Sequence, residues 1–462
     1  MKYLKPFKKF FIAAIILVMI TGASRTAFAA DGLTNDDKNQ IAAYMIYQVM
    51  ALIEDEYMGG DVTPEELYDA AMHGMTSALD PYSQYFTDAE LNSFMAPLSG
   101  EYFGIGVMIQ EDADGQAVIA QVVADSPAEK AGLKAGDIII SIDGVTADAG
   151  LDGMISALSV SGDPSTVVVK RGSGTLTFTV EKTMLTNQTV FVDAMGDVLP
   201  SAKDKDTSSL RYMAITAFGE NTADEFRDAV AQMKDEGVTG LVIDLRGNGG
   251  GLIDAVLDIC RQMVPKGVIM STLEKSGLST FYMSDLEETP FKDVVILTDA
   301  YTASASEIFA AAMQDSKAAT IIGETTYGKG VMQSLYPLPT GGAFKLTTAQ
   351  DFRRSGAKIN GVGVKPDIVI THPPMVNETD KNMISEVKKI LSYIGYPVSS
   401  DGEALDDETK AAIEQFQADC GLPVTGYPYS KTLTLLNYYV YSTYYGSGDV
   451  LQKAYDVLTG QE

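Results

Sequence analysis

The sequence contains little histidine and cysteine, with two residues of each among 462. His73, His372, Cys260 and Cys420 are far apart along the chain and do not have the spacing of metal ligands. We therefore expect no structural zinc site and no other cofactor. Two thiols do not make a disulfide framework, so we interpret the cysteines as small buried apolar residues.

Positive charge is also scarce. The chain has 34 Lys and Arg residues against 62 Asp and Glu residues, which gives a formal net charge of −28. Such a field repels nucleic acid, and no basic segment interrupts it after the first few residues. We therefore expect no nucleic-acid partner. The 46% of hydrophobic residues is enough for globular cores, and the length predicts about three domains.

Long hydrophobic runs are absent beyond the N-terminus. There, four lysines precede the apolar run Phe10–Ile20, which is shorter than the ~20 residues needed to span a bilayer. Small residues at 27–29 follow with the spacing of a signal-peptidase site. Residues 1–30 are therefore predicted to be a signal peptide, in preference to a retained anchor. We expect the mature protein to be exported and extracytoplasmic, either secreted or associated with the cell wall or membrane.

Residues 31–98 are predicted to be helical. An apolar stripe with three- and four-residue steps runs from Ile41 to Leu52, as expected for one face of a helix. Thr63, Pro64 and Glu66 have the pattern of a capping box with proline in the first turn, which predicts a second helix start.

Residues 99–185 change to short apolar runs separated by glycine, which is typical of a β-rich module. Strands are expected at 106–110, 117–123, 137–142 and 166–170. Ser126 and Glu129 predict a short helix between the second and third strands.

Residues 186–374 alternate strand and helix patterns, which predicts βαβ units and a largely parallel sheet. Thr222 and Glu225 are expected to form a capping box at the first helix. Another helical module is expected at 383–458. The predicted fold class is multi-domain α/β: an α/β core with an inserted β-rich domain, N-terminal helices and a C-terminal three-helix module.

Two segments of the α/β core carry candidate chemistry at strand-to-helix turns. The glycines of Asp244–Gly251 leave backbone N–H groups accessible at the start of a helix. The segment Thr302–Ile308 presents Ser304 among small residues, although Ser304 and Glu307 also fit a simple capping box.

A third segment, Gly323–Gln333, begins like a nucleotide-binding loop. However, Gly330 stands where Ser or Thr should hold magnesium, and a strand pattern follows, so nucleotide binding is not favoured. What remains is Lys329 between two glycines. A serine hydroxyl needs a base, and a lysine amine can serve if burial lowers its pKa. Gln333 could hold that amine by a hydrogen bond without adding charge.

These three segments, in this order and spacing, resemble the C-terminal processing peptidases, or tail-specific proteases. The resemblance covers roughly residues 35–374 and implies a serine-type endopeptidase with an α/β peptidase core. The resemblance implies that Ser304 is the nucleophile, Lys329 the general base and Gln333 the residue that orients the lysine.

The same resemblance implies an oxyanion hole, a pair of N–H donors for the negative oxygen of the reaction intermediate. Its donors are expected to be the backbone N–H of Ala305 and that of Gly249 or Gly250. Asp315 matches an acidic position of the family, for which we expect a supporting structural role.

Residues 99–185 then resemble a PDZ domain, with Phe103, Gly104, Ile105 and Gly106 at the position of its carboxylate-binding loop. Such domains bind an extended peptide as an added strand and hold its terminal carboxylate on backbone amides. The resemblance implies protein or peptide substrates with free C-termini.

Residues 383–458 resemble a peptidoglycan-binding domain, with Tyr427–Ser430 where an acidic turn is more usual. Peptidoglycan is therefore a candidate partner, and a purely structural cap on the core is the alternative. Apolar stripes in the terminal helices also make a homodimer a candidate.

Two other classes of function are weighed against a peptidase. A catalytically silent scaffold would use the PDZ-like and wall-binding modules to tether partners, but the joint presence of Ser304, Lys329 and Gln333 argues against it. A peptidoglycan-cleaving enzyme lacks support, because neither metal ligands nor a Cys/His pair accompanies the C-terminal module.

Overall fold

The computed structural model describes residues 34–112, 116–146, 149–159, 164–445 and 448–461. The predicted signal peptide lies outside these residues. Among them, no helix is both long and apolar enough to cross a membrane. The same residues contain no group of His, Cys, Asp and Glu arranged to hold a metal ion. The chain divides after Leu79 into two compact units.

The first unit contains the helices α1 (Asn35–Glu56) and α2 (Pro64–Thr76). The predicted capping box of Thr63 and Glu66 is confirmed at the start of α2. The apolar stripe of α1 is not covered: no residue of this helix is buried, and Tyr44 is half exposed.

The second unit begins with β1 (Gln84–Phe86), α3 (Asp88–Met95) and β2 (Glu101–Gly104). The prediction of an all-helical segment up to residue 98 is therefore wrong at β1. This strand forms because it pairs with a long strand of the core, near residue 344, which local sequence does not reveal.

The β-rich domain has the predicted strands and the predicted short helix. Its elements are β3 (Val107–Glu111), β4 (Ala117–Val122), α4 (Pro127–Ala131), β5 (Ile138–Ile142), β6 (Val145–Thr146), α5 (Gly150–Ser159), β7 (Ser165–Arg171), β8 (Gly174–Val180) and β9 (Thr183–Thr186). The sheet order is β3-β4-β5-β7-β8, so β3 is an edge strand, and β2 pairs separately with β9. Ile119, Ile142 and Met154 are fully buried in its core.

The α/β core follows. In chain order it contains β10 (Val190–Ala194), α6 (Met195–Val198), β11 (Leu210–Ile215), α7 (Thr222–Asp235), β12 (Gly240–Asp244), α8 (Ile253–Met263), β13 (Gly267–Glu274), β14 (Ser279–Ser284), β15 (Asp293–Thr298), α9 (Ala305–Asp315), β16 (Thr320–Gly323), β17 (Val331–Pro337), β18 (Ala343–Arg353) and β19 (Ile368–Val369).

The central sheet of the core is largely parallel, as predicted. Its order is β10-β11-β12-β15-β16-β19, with only β10 antiparallel to its neighbour. The three candidate segments follow the carboxyl ends of the adjacent strands β12, β15 and β16. Parallel strands end at the same edge of a sheet, so the order of these strands brings the three segments together.

A second sheet has the order β1-β18-β13-β14, with β17 also paired to β18. The strand pattern near 344–348 is confirmed as part of β18, but the hairpin of β13 and β14 was not predicted. β17 carries the chain directly from Lys329 into this sheet, so the second sheet supports the lysine.

The C-terminal residues divide into two parts. The helices α10 (Met383–Tyr393), α11 (Asp407–Asp419) and α12 (Ser430–Tyr445) share a core of their own. By contrast, α13 (Asp449–Thr459) packs on the central sheet of the peptidase core, where Val450 and Leu451 are buried. The expected single module of 383–458 therefore needs correction, because its last helix completes the core.

Two local predictions have different outcomes. The expected capping box is wrong, because Asn221 precedes α7 and Glu225 instead accepts hydrogen bonds from the backbone N–H of Thr189 and Val190. Both cysteines were expected to be buried: Cys260 is buried, as predicted, whereas Cys420 is only partly buried, and both are free thiols.

Candidate active site

Ser304 lies at a sharp turn between β15 and α9. Its φ of 58° and ψ of −116° place a non-glycine residue in a strained backbone conformation, which costs about 1–3 kcal/mol. The residues on both sides, Ala303 and Ala305, are buried, whereas Ser304 itself is partly exposed. The turn therefore holds the serine at the accessible, positively polarised N-terminus of α9.

The glycine-rich loop 244–251 packs directly against this turn. A Cβ on Gly250, whose φ is 104°, would lie 2.7 Å from the carbonyl oxygen of Ala303 and 2.8 Å from Cβ of Ser304. Only glycine allows this approach. The sequence predicted accessible backbone in this loop, and at Gly250 the nearest neighbour is the serine turn.

Asn248 fixes the loop to the serine turn, and the sequence analysis missed this residue. Its backbone oxygen accepts hydrogen bonds from Ala303 N–H and Ser306 Oγ, both at 3.0 Å. Its side-chain oxygen accepts the N–H of Gly250 at 2.9 Å. The side chain is buried, so these bonds are shielded from competing water.

The three backbone N–H groups that are candidates for the oxyanion hole are not equivalent. That of Gly250 is already bonded to Asn248. Those of Gly249 and Ala305 have no hydrogen-bond partner among the described residues. Gly249 is exposed and therefore open to a ligand from solvent.

Glu307 joins the serine turn to the lysine segment. Its Oε2 accepts the backbone N–H of Ser304 and that of Lys329, both at 2.8 Å. Its Oε1 accepts the N–H of Gly328 at 2.7 Å and the hydroxyl of Thr326. The backbone nitrogens of Ser304 and Lys329 thus lie within two hydrogen-bond lengths of each other, and Glu307 is fully buried.

Lys329 lies between two glycines whose backbone packs closely against the segment 359–363. A Cβ on Gly330 would lie 2.2 Å from the backbone nitrogen of Asn360, and Gly328 has a φ of 89°. The amine of Lys329 makes no hydrogen bond or ion pair with a described residue. It lies 5.2 Å from the centre of the Tyr82 ring.

Burial lowers the pKa of Lys329 below its usual value, because desolvation disfavours the ammonium form. The carboxylates of Asp351, Glu307 and Asp80 act in the opposite direction and limit the fall of this pKa. The lysine is therefore closer to a neutral amine than a surface lysine, as a general base requires.

Among the described residues, Gln333 makes no hydrogen bond with the lysine amine. Its Nε2 donates to the carbonyl oxygen of Val331 at 3.1 Å and to Oγ1 of Thr347 at 3.4 Å. The pairing of β17 with β18 shifts register here, because β18 has the extra residue Thr348 between the partners of Met332 and Gln333. The structure thus brings the backbones of Ser304 and Lys329 together through Glu307, without a hydrogen bond from Gln333 to the amine.

Asp315 lies at the far end of α9, where it accepts bonds from Arg353 and Ser355. Its pKa is lowered by these bonds, against the opposing effect of burial. These contacts tie α9 to β18, in agreement with a supporting structural role.

The PDZ-like loop presents free backbone donors at the start of the edge strand. Phe103 and Gly104 pair with β9. Ile105 and Gly106 follow them, and neither backbone N–H is bonded to a described residue. Strand β3 then leaves one edge of its sheet open.

Comparisons with known proteins agree along the chain. The family model described as peptidase family S41 matches residues 209–370, the PDZ domain model matches 102–181, and the putative peptidoglycan binding domain model matches 380–436. A solved structure of the photosystem II D1 C-terminal processing protease is 25% identical, with a TM-score of 0.42, over 72% of this chain and 94% of that one.

Two curated relatives align over nearly the whole chain. The probable CtpA-like serine protease of Staphylococcus haemolyticus (strain JCSC1435) is 32% identical over 442 residues, covering 90% of this chain and 86% of the relative. The carboxy-terminal processing protease CtpA of Bacillus subtilis (strain 168) is 30% identical, covering 92% and 91%. The chain therefore belongs to peptidase family S41 and is a serine peptidase of the carboxy-terminal processing protease family, with a PDZ domain and a peptidoglycan-binding-like domain.

Proposed function

We propose that this peptidase is an exported endopeptidase that cleaves protein substrates recognised through their C-terminal tails, with Ser304 as nucleophile and Lys329 as general base. The observation that carries the proposal is the position of Glu307. One of its carboxylate oxygens, Oε2, accepts the backbone N–H of both Ser304 and Lys329. A carboxylate buried at this point keeps the serine turn and the lysine segment in register.

The proposed reaction begins with the neutral amine of Lys329. This amine takes the proton of the Ser304 hydroxyl as Oγ attacks the carbonyl carbon of the substrate. Lys329 then gives that proton to the leaving amine, which leaves an acyl-enzyme. In the second half, water attacks the acyl group and Lys329 again accepts and returns one proton.

The negative oxygen formed in each half-reaction is proposed to bind the N–H groups of Ala305 and Gly249. Among the residues that the structure describes, neither group has a hydrogen-bond partner, whereas the N–H of Gly250 is bonded to Asn248. Donors of this kind lower a barrier by about 3 kcal/mol each. We therefore assign Gly250 the role of allowing close packing and Gly249 that of donor.

Recognition of a tail is proposed at the edge strand β3. The free N–H groups of Ile105 and Gly106 suit a terminal carboxylate, and the open edge of β3 suits an added strand. The test compares cleavage of one peptide with a free C-terminus and with a C-terminal amide. A higher KM for the amide is expected, and equal KM values would contradict tail recognition.

The catalytic assignment is tested with an unstructured protein substrate. Ser304→Ala and Lys329→Ala are expected to abolish cleavage while the protein stays folded. Ser316→Ala and Lys317→Ala, at the other end of α9, are matched controls that should retain activity. Cleavage by the Ser304→Ala or Lys329→Ala protein would remove the proposed dyad, and absence of cleavage by the wild type would favour the silent scaffold.

Export and partners complete the proposal. Residues 1–30 are proposed to be removed, so the mass of the mature protein should correspond to cleavage near residue 30.

The C-terminal module is proposed to bind peptidoglycan, which co-sedimentation with purified cell walls tests. A second copy of the chain is proposed to cover α1, where Tyr44 and Tyr47 are exposed at 50% and 58%. A monomeric mass by light scattering would contradict this last point.

A further inference from the structure

Asp351 is a buried carboxylate in the second sheet that the proposed mechanism does not use. It lies on β18 and is only 4% exposed. Its Oδ1 is buried without a hydrogen-bond partner, and no described residue donates a hydrogen bond to this side chain. A buried, ionised carboxylate without hydrogen bonds is unfavourable unless a nearby positive group compensates its charge.

The backbone places Asp351 beside the lysine segment. Its N–H donates to the carbonyl oxygen of Gly330 at 3.0 Å, and Gly330 directly follows Lys329. The pairing of β18 with β17 shifts register between Thr347 and Ala349, so Asp351 lies on the far side of this shift from Lys345. The pKa of Lys345, six residues before Asp351, is itself lowered by burial and by the charge of Lys329.

The groups around the two side chains come from β18, α9 and the segment 80–82. Lys329 interacts with Asp351 and Lys345 of β18, Glu307 of α9, Asp80 at the start of the second unit, and the neighbouring ring of Tyr82. The groups that act on Asp351 are Lys329 and Glu307. Glu307 accepts four hydrogen bonds, whereas Asp351 accepts none from the described residues. Of the three carboxylates that act on Lys329, Asp351 therefore has the largest effect.

We propose that Asp351 is a positioning residue of the catalytic centre, whose buried carboxylate stabilises the ammonium form of Lys329 while the lysine holds the proton taken from Ser304. The proposal rests on the catalytic function proposed above. The carboxylate exchanges no proton with the substrate. It acts through Lys329, as a buried carboxylate supports the protonated base in Ser-His-Asp sites.

The pKa directions agree with this arrangement. Burial raises the pKa of Asp351 to about 7, and the charge of Lys329 opposes this rise. Asp351 in turn raises the pKa of Lys329. Above pH 7 the carboxylate is ionised and increases the affinity of the amine for a proton.

The experiment is the pH dependence of kcat/KM for the wild type and Asp351→Asn. Without the carboxylate, Lys329 should lose its proton more easily, so the acid-side midpoint should move to lower pH by about one unit. The amine also becomes a weaker base, so the rate at the plateau should fall several-fold. An unchanged midpoint would overturn the proposal.

Asp80→Asn is the matched control, because Asp80 also raises the pKa of Lys329 but is exposed. Its shift should be smaller and should disappear in high salt, whereas the shift of Asp351→Asn should persist. Equal shifts with equal salt dependence would also overturn the proposal. Asp351→Glu should restore the midpoint, and Asp351→Ser replaces Asp351→Asn if that variant does not fold.

Failure of this inference is distinguishable from failure of the catalytic assignment. Active Ser304→Ala or Lys329→Ala proteins would refute the dyad itself. Inactive dyad variants together with an unshifted Asp351→Asn profile would refute only the role of Asp351.

Discussion

Replacement of Glu307 by glutamine should separate the serine turn from the lysine segment. Each oxygen of the carboxylate accepts two hydrogen bonds: Oε1 from Thr326 and Gly328, Oε2 from Ser304 and Lys329. Glutamine has one oxygen and one NH2 group. Whichever way the amide turns, the NH2 faces donors that the carboxylate had satisfied.

The magnitude follows from the number of donors left unpaired. If the NH2 takes the Oε1 position, the Thr326 hydroxyl can rotate to accept, but the N–H of Gly328 stays unpaired. In the other orientation both backbone N–H groups are unpaired. Each buried unsatisfied donor costs about 1–3 kcal/mol, and the first orientation leaves only one, so Glu307→Gln should destabilise the fold by about 1–3 kcal/mol.

Glu225→Gln is the matched control. All three hydrogen bonds that Glu225 accepts, from Thr189 and Val190, go to its Oε2. An amide oxygen can replace that single acceptor, so this variant should lose about 1 kcal/mol or less. Urea unfolding measures both variants, and kcat/KM per folded molecule should fall only for Glu307→Gln. Equal stability and full activity of the two variants would refute the reasoning.

Three further predictions concern the same site. Gly250→Ala should reduce kcat/KM by about a hundredfold, since its Cβ would displace the Ser304 turn. Gly247→Ala is the control: its φ of 73° adds backbone strain of about 1 kcal/mol, but its Cβ meets nothing within 4 Å, so the variant should stay active, and equal activity of the two variants would contradict this. Arg246→Ala should lower the free energy of unfolding by about 3–5 kcal/mol, because it leaves the buried carboxylate of Asp244 without its ion-pair partner; a change below about 1 kcal/mol in thermal unfolding would argue against it. For the wild type, kcat/KM should rise with pH as Lys329 loses its proton, with a midpoint below the usual lysine value of 10.5 because burial lowers this pKa; activity that falls over this range would exclude a lysine base.

The sequence was sufficient for the parts of the site that lie in loops after strands. Ser304 and Lys329 stand in short segments whose small residues and glycines are hard to explain by packing alone. The alternation of strands and helices also predicted the central sheet, and the sheet places these segments at one edge.

The supporting residues could not be found in the same way. Glu307 fitted a local helix cap, and its bonds to Gly328 and Lys329 join residues more than twenty positions apart. Asp351 lies in a strand pattern that gives no sign of its burial beside Gly330. Long-range pairing decides both, and the same holds for β1, which forms only against β18.

The expected role of Gln333 stays a prediction. A spacing of four residues from Lys329 suggested a contact, but that spacing brings side chains together on a helix. The segment is a strand, and the Gln333 amide donates to Oγ1 of Thr347 on the neighbouring strand. The second sheet, which the sequence analysis did not predict, sets this direction.

The central claim is that the amine of Lys329 activates Ser304. The most direct measurement is the rate at which a fluorophosphonate probe labels the protein, followed by mass spectrometry at constant pH. The account predicts one adduct on Ser304 in the wild type and labelling at least about a hundredfold slower in Lys329→Ala. Labelling of Lys329→Ala at the wild-type rate, or an adduct on another residue, would contradict it.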